Sequence, residues 1–374
     1  MDKSVAYETN ATLPYAAAIA TIDIGAIVAN YKTLARRVAP IECSAVVKAD
    51  AYGLGAEKIA PALYQAGCRT FFIAHLKEAL QLKAILPQNV TIVLLNGIPL
   101  TAEEFVAQAG IVPVLNSWHA IESWQMHCQK NGKKFPAVVQ IDTNMNRLGL
   151  DQEELQWLIQ TPTLFETADI KYIISHLANG DDITHTSNCA QKNAMKTALA
   201  QLPACKASLA NSGGIFLGPD FYFDLVRPGI ALYGIDPHGK HPTSLKSVLK
   251  LKAQVIQSRY TEAGTPVGYG GSFITQQPSI LTTISIGYAD GWLRNLSNKG
   301  SVYFNGYKLP IIGQISMDSI IVDATNLKHK KPKRGDWVEL IGIHQTIENV
   351  AADAGTIPYE ILTSLGSRYK RIYI

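Results

Sequence analysis

Over its first 240 residues this chain of 374 keeps switching between two hydrophobic periods. Short apolar runs at 45–48, 71–74, 92–95, 112–115, 137–141, 172–175, 207–210 and 225–233 have the length and composition of buried strands. Between most of them, apolar residues recur at helical spacing. Ile27, Tyr31, Leu34 and Val38 share a face before the first run, Leu155, Leu158 and Ile159 share one after the fifth, and Leu199 and Leu202 close a longer stretch before the seventh. Strands separated by helices imply βαβ units and a parallel sheet. Eight of them within about 250 residues predict a (β/α)8 barrel of the TIM type. The competing open, doubly wound sheet would be expected to open a helix with G-x-G-x-x-G after a strand, and no such motif is found.

After about Pro242 the texture changes. Helical periods become rare and alternating runs replace them at 249–259, 279–286, 301–304, 320–322 and 336–343, with turns such as Asn305-Gly306 between several. This predicts a mostly β second domain. The polar, Pro/Gly-rich "DPHGKHPTS" at 236–244 marks the expected boundary, with a barrel over 1–240 and a β-rich domain over 241–374. The first 15 or so residues are free to form an arm.

At 47% apolar and 17% charged residues the chain is expected to fold throughout. Its net charge of +4, from 34 basic and 30 acidic residues, is not gathered into a basic stripe, so nucleic acid is not an expected partner. The apolar stretch from Ala16 to Ala20 is too short for the core of a signal peptide, and no run approaches the ~18 residues of a membrane helix. A cytoplasmic protein without membrane contact is expected. Cys43, Cys68, Cys128, Cys189 and Cys205 are odd in number, scattered and without a C-x-x-C pair, which predicts reduced thiols and no metal site.

The first strand ends in a lysine. In "SAVVKADAYGLG" the run Ala45-Val46-Val47 delivers Lys48 to the C-terminal end of a barrel strand, where ligands bind in such barrels, and a Tyr52-Gly53 turn follows. A strand-end lysine is ordinarily just solvated. Held in a partly apolar place, however, its pKa falls and a neutral, nucleophilic amine becomes accessible. Such an amine forms a Schiff base with a carbonyl, either that of a substrate, as in an aldolase, or that of pyridoxal phosphate (PLP). A phosphate site is available in "ANSGG" (210–214), after the seventh strand, and "RPGIALYG" (227–234), in the eighth. Barrel phosphate sites are frequently built there. Ser212 offers a hydroxyl, and Gly229 and Ile230 offer backbone N–H groups.

"AVVKADAYGLG", "ANSGG", "VRPGIALYG", "VGYGGSF", "SIGYADGW", "ISMD" and "IPYE" together resemble the alanine racemase family, in family order and over about residues 20 to 365. The resemblance implies a PLP-dependent isomerase that interconverts L- and D-alanine with two bases. Lys48 matches the Schiff-base lysine and the base for D-alanine; Tyr269 matches the base for L-alanine. A tyrosine with a reference pKa of about 10 needs a partner to act at neutral pH, and His176 matches that partner. Arg227 matches the arginine facing the cofactor's ring nitrogen. Arginine does not readily give up its proton, so the ring stays a weaker electron sink, which suits racemisation over transamination. Tyr52, Ser212, Gly229, Ile230 and Tyr359 match the phosphate-binding set. Arg147 and Met317 match residues at the substrate carboxylate, Asp318 a substrate-side residue and Tyr288 a gate at the substrate entrance. In the family Tyr269, Tyr288, Met317 and Asp318 come from the partner subunit, so a homodimer with shared active sites is implied.

Two positions depart from the pattern. Gln140 stands where many relatives carry a carbamylated lysine, seven residues before Arg147. The resemblance leaves two arrangements open there: the amide orients Arg147 directly, or a small anion such as chloride fills the space. Gln314 stands where some relatives have an arginine in the entrance corridor. Three other readings compete. A basic amino-acid decarboxylase of related architecture would be expected to show an acidic partner for the ring nitrogen and a "GGGFP"-like loop, which are not found. A racemase of broader specificity, accepting serine or other amino acids, and a PLP-binding protein without turnover remain.

Overall fold

The computed structural model describes residues 16–239 and 244–374, so the expected arm before residue 16 and residues 240–243 of the expected linker lie outside the described part. The described residues divide into two compact units, Asp23–Val248 and a second made of Leu249–Ile374 with residues 16–22.

Asp23–Val248 is a barrel. Glu42–Cys43, continued by Ala45–Val46, forms the first strand. Thr70–Ile73, Thr91–Leu94, Val112–Leu115, Pro136–Gln140, Asp169–Ile174 and Ala207–Ser208 follow, all parallel and in chain order from Ala45–Val46 onward. The eighth, Leu225–Val226, pairs in parallel with Glu42–Cys43. A parallel bridge between Asn211 and Arg227, with the Arg227 N–H donating to the Ala210 carbonyl at 2.9 Å, joins the eighth strand to the seventh and closes the ring. Phe71, Phe72, Val93, Val138, Val139 and Ile173 are all fully buried, as expected of strands covered on both faces. The helix Ile24–Val38 buries the face read from its period, and Asp23 caps it by accepting the Ala26 N–H at 2.7 Å.

The β unit is built around one long strand, Leu249–Thr261, which pairs antiparallel with Ser279–Ile284 and Trp337–Ile341. The Asn305-Gly306 turn, both residues at positive φ, joins the hairpin strands Ser301–Phe304 and Tyr307–Pro310. One element lies elsewhere than expected. Ala18–Ile22 does not belong with the barrel that follows it: it pairs antiparallel with Leu249–Thr261 and parallel with Lys370–Tyr373. Its alternation of buried and half-buried residues is the period-2 pattern of a strand. The observed crossings between units therefore fall at Ile22/Asp23 and Val248/Leu249, where the expectation had a single boundary at 240/241.

Candidate active site

Lys48 sits where the first strand ends, and the backbone after it does something unusual. Ala49, Asp50, Ala51 and Tyr52 all lie in the left-handed helical region, with φ between 51° and 58°. For non-glycine residues this costs about 1–2 kcal/mol each. Hydrogen bonds hold the turn. The Ala51 N–H donates to Val47 O at 2.9 Å, the Gly55 N–H to Asp50 O at 2.9 Å, and the Asp50 carboxylate accepts the Ala56 N–H at 2.7 Å. The product is a buried Tyr52 whose ring packs against Tyr233, with centroids 4.7 Å apart. The Tyr233 hydroxyl in turn donates to Val46 O at 3.0 Å, back on the lysine's own strand.

Gly229 explains why a glycine stands in "RPG". A Cβ there would come within 2.2 Å of the Tyr52 hydroxyl oxygen. On the backbone side, the Gly229 N–H donates to Ser212 Oγ at 2.9 Å, and Ser212 Oγ also accepts the Ala231 N–H at 3.3 Å. The hydroxyls of Tyr52 and Ser212 thus converge on one glycine, and the two N–H donors to Ser212 flank the buried Ile230. Hydroxyls and backbone N–H groups gathered in this way are the donor types that bind a phosphate.

Arg227 lies deep in the same mouth, only 4% exposed. Its guanidinium donates to the carbonyls of Ser208, at 2.9 Å, and of Leu209 and Ser175, and to the Ser208 hydroxyl. All of these acceptors are uncharged, and burial draws its pKa down to about 10, still protonated at neutral pH. Burial lowers the Lys48 amine, Arg147 lowers it further, and Glu78 opposes both. Burial, then the charges of Arg227, Arg147 and Lys48, push the His176 imidazole down to about 3. One prediction follows. The His176 ring should not titrate between pH 5 and 8 by NMR. Because the unfolded imidazole takes up a proton near 6.5 that the folded one refuses, its contribution to stability is full above pH 6.5 and is lost as pH falls toward 3. Denaturant midpoints should drop over that window less steeply in His176→Asn than in the parent.

Arg147 is exposed, on a loop that Asp142 folds back by accepting the N–H groups of Asn144, Met145 and Asn146 at 2.8–2.9 Å. Gln140 acts on the backbone beside Arg147. Its Nε2 donates to the Leu148 carbonyl at 2.9 Å, tying down the backbone next to Arg147 instead of the guanidinium itself. Gln191, which the sequence did not single out, is 1% exposed. Its amide donates to Thr143 Oγ1 at 3.2 Å and to His176 O at 2.9 Å, and its carbonyl accepts the Ala178 N–H at 2.9 Å. It therefore joins the loops after the fifth and sixth strands.

The β unit gathers the other named residues about one loop. Gly287 packs so tightly on it that a Cβ would lie 2.2 Å from Met317 O, and the N–H groups of Tyr288 and Ala289 donate to Ser316 O and Met317 O at 3.0 Å. A Cβ on Gly268, just before Tyr269, would lie 3.4 Å from the Gln314 nitrogen on the same loop. Gln314 Oε1 accepts from Arg294 at 2.5 Å, so an arginine is present beside that position, although on another segment. Arg368, also missed in the sequence, clamps the loop. It donates to both oxygens of the buried Asp290 at 2.7 and 2.8 Å and to Asp318 at 2.6 Å. Tyr269 is 70% exposed and Met317 53%, and Tyr288 and Tyr359 also reach the surface.

Residues 22–237 match the family model "Alanine racemase, N-terminal domain", and residues 248–373 match "Alanine racemase, C-terminal domain". The chain belongs to the alanine racemase family. An alanine racemase of Brucella ovis is 51% identical over 96% of this chain and 94% of its own length. A catabolic alanine racemase of Agrobacterium fabrum is 49% identical, over 95% and 91% respectively. In structure, the alanine racemase of Bartonella henselae with covalently bound pyridoxal phosphate superposes with a TM-score of 0.95 at 73% identity, covering 96% of this chain and all of that one. The β unit that follows the barrel is thus part of the alanine racemase architecture, and both halves of the fold read from the sequence are present.

Proposed function

We propose that this chain is a PLP-dependent alanine racemase that interconverts L- and D-alanine with Lys48 and Tyr269 as its two bases. The observation that carries this reading is the barrel mouth. A lysine with a lowered pKa, a hydroxyl cradle around Gly229 and a buried arginine bonded only to neutral acceptors occur together in a chain closely similar to a PLP-bound alanine racemase.

Tyr52, Ser212 and the backbone at Gly229 and Ile230 would hold the cofactor's phosphate, and the family resemblance adds Tyr359 to that set. Arg227 would face the ring nitrogen, and Lys48 would carry the covalent link. Bound there, the cofactor supplies a sink for the electron pair left when the Cα–H bond breaks. The remaining work belongs to side chains. Lys48 takes or returns the α-proton on the D side, helped by a burial that favours its neutral amine. Tyr269 does so on the L side, partnered by His176, whose imidazole, kept neutral, can accept a hydrogen bond from the phenol. Arg227 keeps its own proton and offers only hydrogen-bond donors, so it does not act as an acid toward the ring. Arg147 and the Met317 backbone N–H bind the substrate carboxylate, and Tyr288 with Asp318 line its approach.

The active form in this reading is a homodimer in which Tyr269, Tyr288, Met317 and Asp318 serve the partner's barrel. Their exposure in the single chain supports this, because large side chains grouped in the open mark an interaction surface. A cytoplasmic location belongs to the same reading, supported by five free thiols, of which Cys43, Cys68 and Cys128 are buried. Among the described residues, no helix is long and apolar enough to cross a membrane.

The test combines activity and assembly. Purified protein with PLP should convert either alanine enantiomer into the other. Inactive Lys48→Ala and Tyr269→Phe chains, mixed under conditions of demonstrated subunit exchange, should regain a substantial part of that activity through heterodimers with one intact site. Exchange without recovery would place both bases on one chain.

A further inference from the structure

We infer that Glu78 is a positioning residue for Lys48, one carboxylate oxygen capping its own helix while the other holds the backbone of the left-handed turn that the lysine opens. This rests on the proposed role of Lys48 as the reactive amine. Glu78 is the third residue of the helix Leu76–Ile85, where a glutamate ordinarily reaches back to the N-terminal backbone. Oε2 alone completes that task, accepting the N–H groups of Ala74 and His75 at 2.9 Å each. Oε1 is left over and crosses to the neighbouring strand-to-helix loop, where it accepts the Ala49 N–H at 2.5 Å. Ala49 follows Lys48 directly and is the first residue with left-handed dihedrals. A single carboxylate therefore fixes the backbone one residue from the amine to the helix behind the next barrel strand.

The groups around Lys48 make this placement consequential. Arg147 approaches from the loop after the fifth strand, His176 from the end of the sixth, and Tyr52 lies on the lysine's own turn. The negative charge of Glu78 opposes burial and Arg147 at the amine. Geometry and charge can be separated by substitution. In Glu78→Gln the amide offers one acceptor oxygen where the carboxylate uses two, so it cannot serve both the helix cap and Ala49, and the charge is gone. In Glu78→Asp the charge stays but the carboxylate is withdrawn by one methylene.

In the loaded enzyme, both variants should lower kcat by roughly 10–100-fold, the size of one lost charge-assisted hydrogen bond, with KM little changed. A second readout does not need turnover. In the full-length chain before cofactor loading, the pH midpoint for acylation of Lys48 by a small amine reagent is read by mass spectrometry of the Lys48 peptide. The midpoint should move to lower pH in Glu78→Gln, because an ammonium loses its stabilising neighbour, and stay near that of the parent in Glu78→Asp. A folded Glu78→Gln with unchanged kcat and midpoint overturns the proposal. So does a loss of activity in both variants that merely tracks lost thermal stability at an unmoved midpoint, since Glu78 would then be only a helix cap. If Glu78→Gln fails to fold, a Glu78→Asp with undiminished kcat overturns it equally. Full racemisation by Lys48→Ala would instead sink the catalytic reading, and the midpoint shift would still report on Glu78.

Discussion

Lys48→Ala should abolish racemisation in both directions, by at least the ~10⁴-fold upper range of a single acid–base group, because it removes both the covalent anchor and one base. The fold should survive. Lys48 is half-buried at the end of a strand, and the turn after it is held by backbone and by Glu78, Asp50 and Tyr52 rather than by the lysine. Circular dichroism and the denaturation midpoint should therefore stay close to those of the parent. Borohydride treatment of the parent with PLP should fix the cofactor on the peptide containing Lys48, and the mutant should yield no such peptide. Fixation at another lysine, or residual activity within tenfold of the parent, would remove Lys48 from the mechanism.

In Tyr269→Phe, exchange of the α-proton with deuterium oxide should become lopsided. The substitution removes the proposed L-side base and leaves Lys48 in place. Racemisation needs a base on one face and an acid on the other, so it should slow severely in both directions. Exchange needs only one base, which can remove a proton and return deuterium to the same face. D-alanine should still exchange, slowly and with retention, while exchange of L-alanine falls by about 10²–10⁴-fold. Equal rates for the two enantiomers, or a preference for L-alanine, would exclude Tyr269 as the L-side base and turn attention to Tyr288, on the other Gly-Tyr turn of the same loop region.

The barrel was legible because every one of its strands is a local apolar run, and the pairing of parallel neighbours then follows chain order. Lys48 was legible because the end of such a strand is a defined place in a barrel. What stayed hidden depends on contacts between distant segments or on backbone the letters do not announce. Glycines signal positive φ, so the Tyr52-Gly53 turn was visible, but nothing in Ala49-Asp50-Ala51-Tyr52 marks a left-handed stretch. Glu78 reads as an ordinary capping residue, and only the structure places its second oxygen on Ala49. Gln191 and Arg368 look like surface polar residues until their partners are known. The helix Ile347–Ala354 did leave a signal, with apolar residues at Ile347, Val350, Ala351 and Ala354 behind a Thr346 cap, lost among the alternating runs of the β half.

The strand Ala18–Ile22 has a consequence for how the chain assembles. It lies between Leu249–Thr261 and Lys370–Tyr373, so the β unit's sheet is completed by a segment synthesised before the entire barrel. The barrel is in effect an insertion between the first strand of a β-sheet and the rest of it. Apart from the closing pair of first and eighth strands, its own pairings run between successive strands and can form as each emerges, whereas Ile19 must wait for Lys370, about 350 residues downstream. During synthesis the barrel would fold first; Ala18–Ile22 gains its antiparallel partner Leu249–Thr261 only after the barrel, and its other edge needs shielding until the final strand arrives. A fragment beginning at Leu249 would lack Ala18–Ile22 altogether, leaving Lys370–Tyr373 without its parallel neighbour.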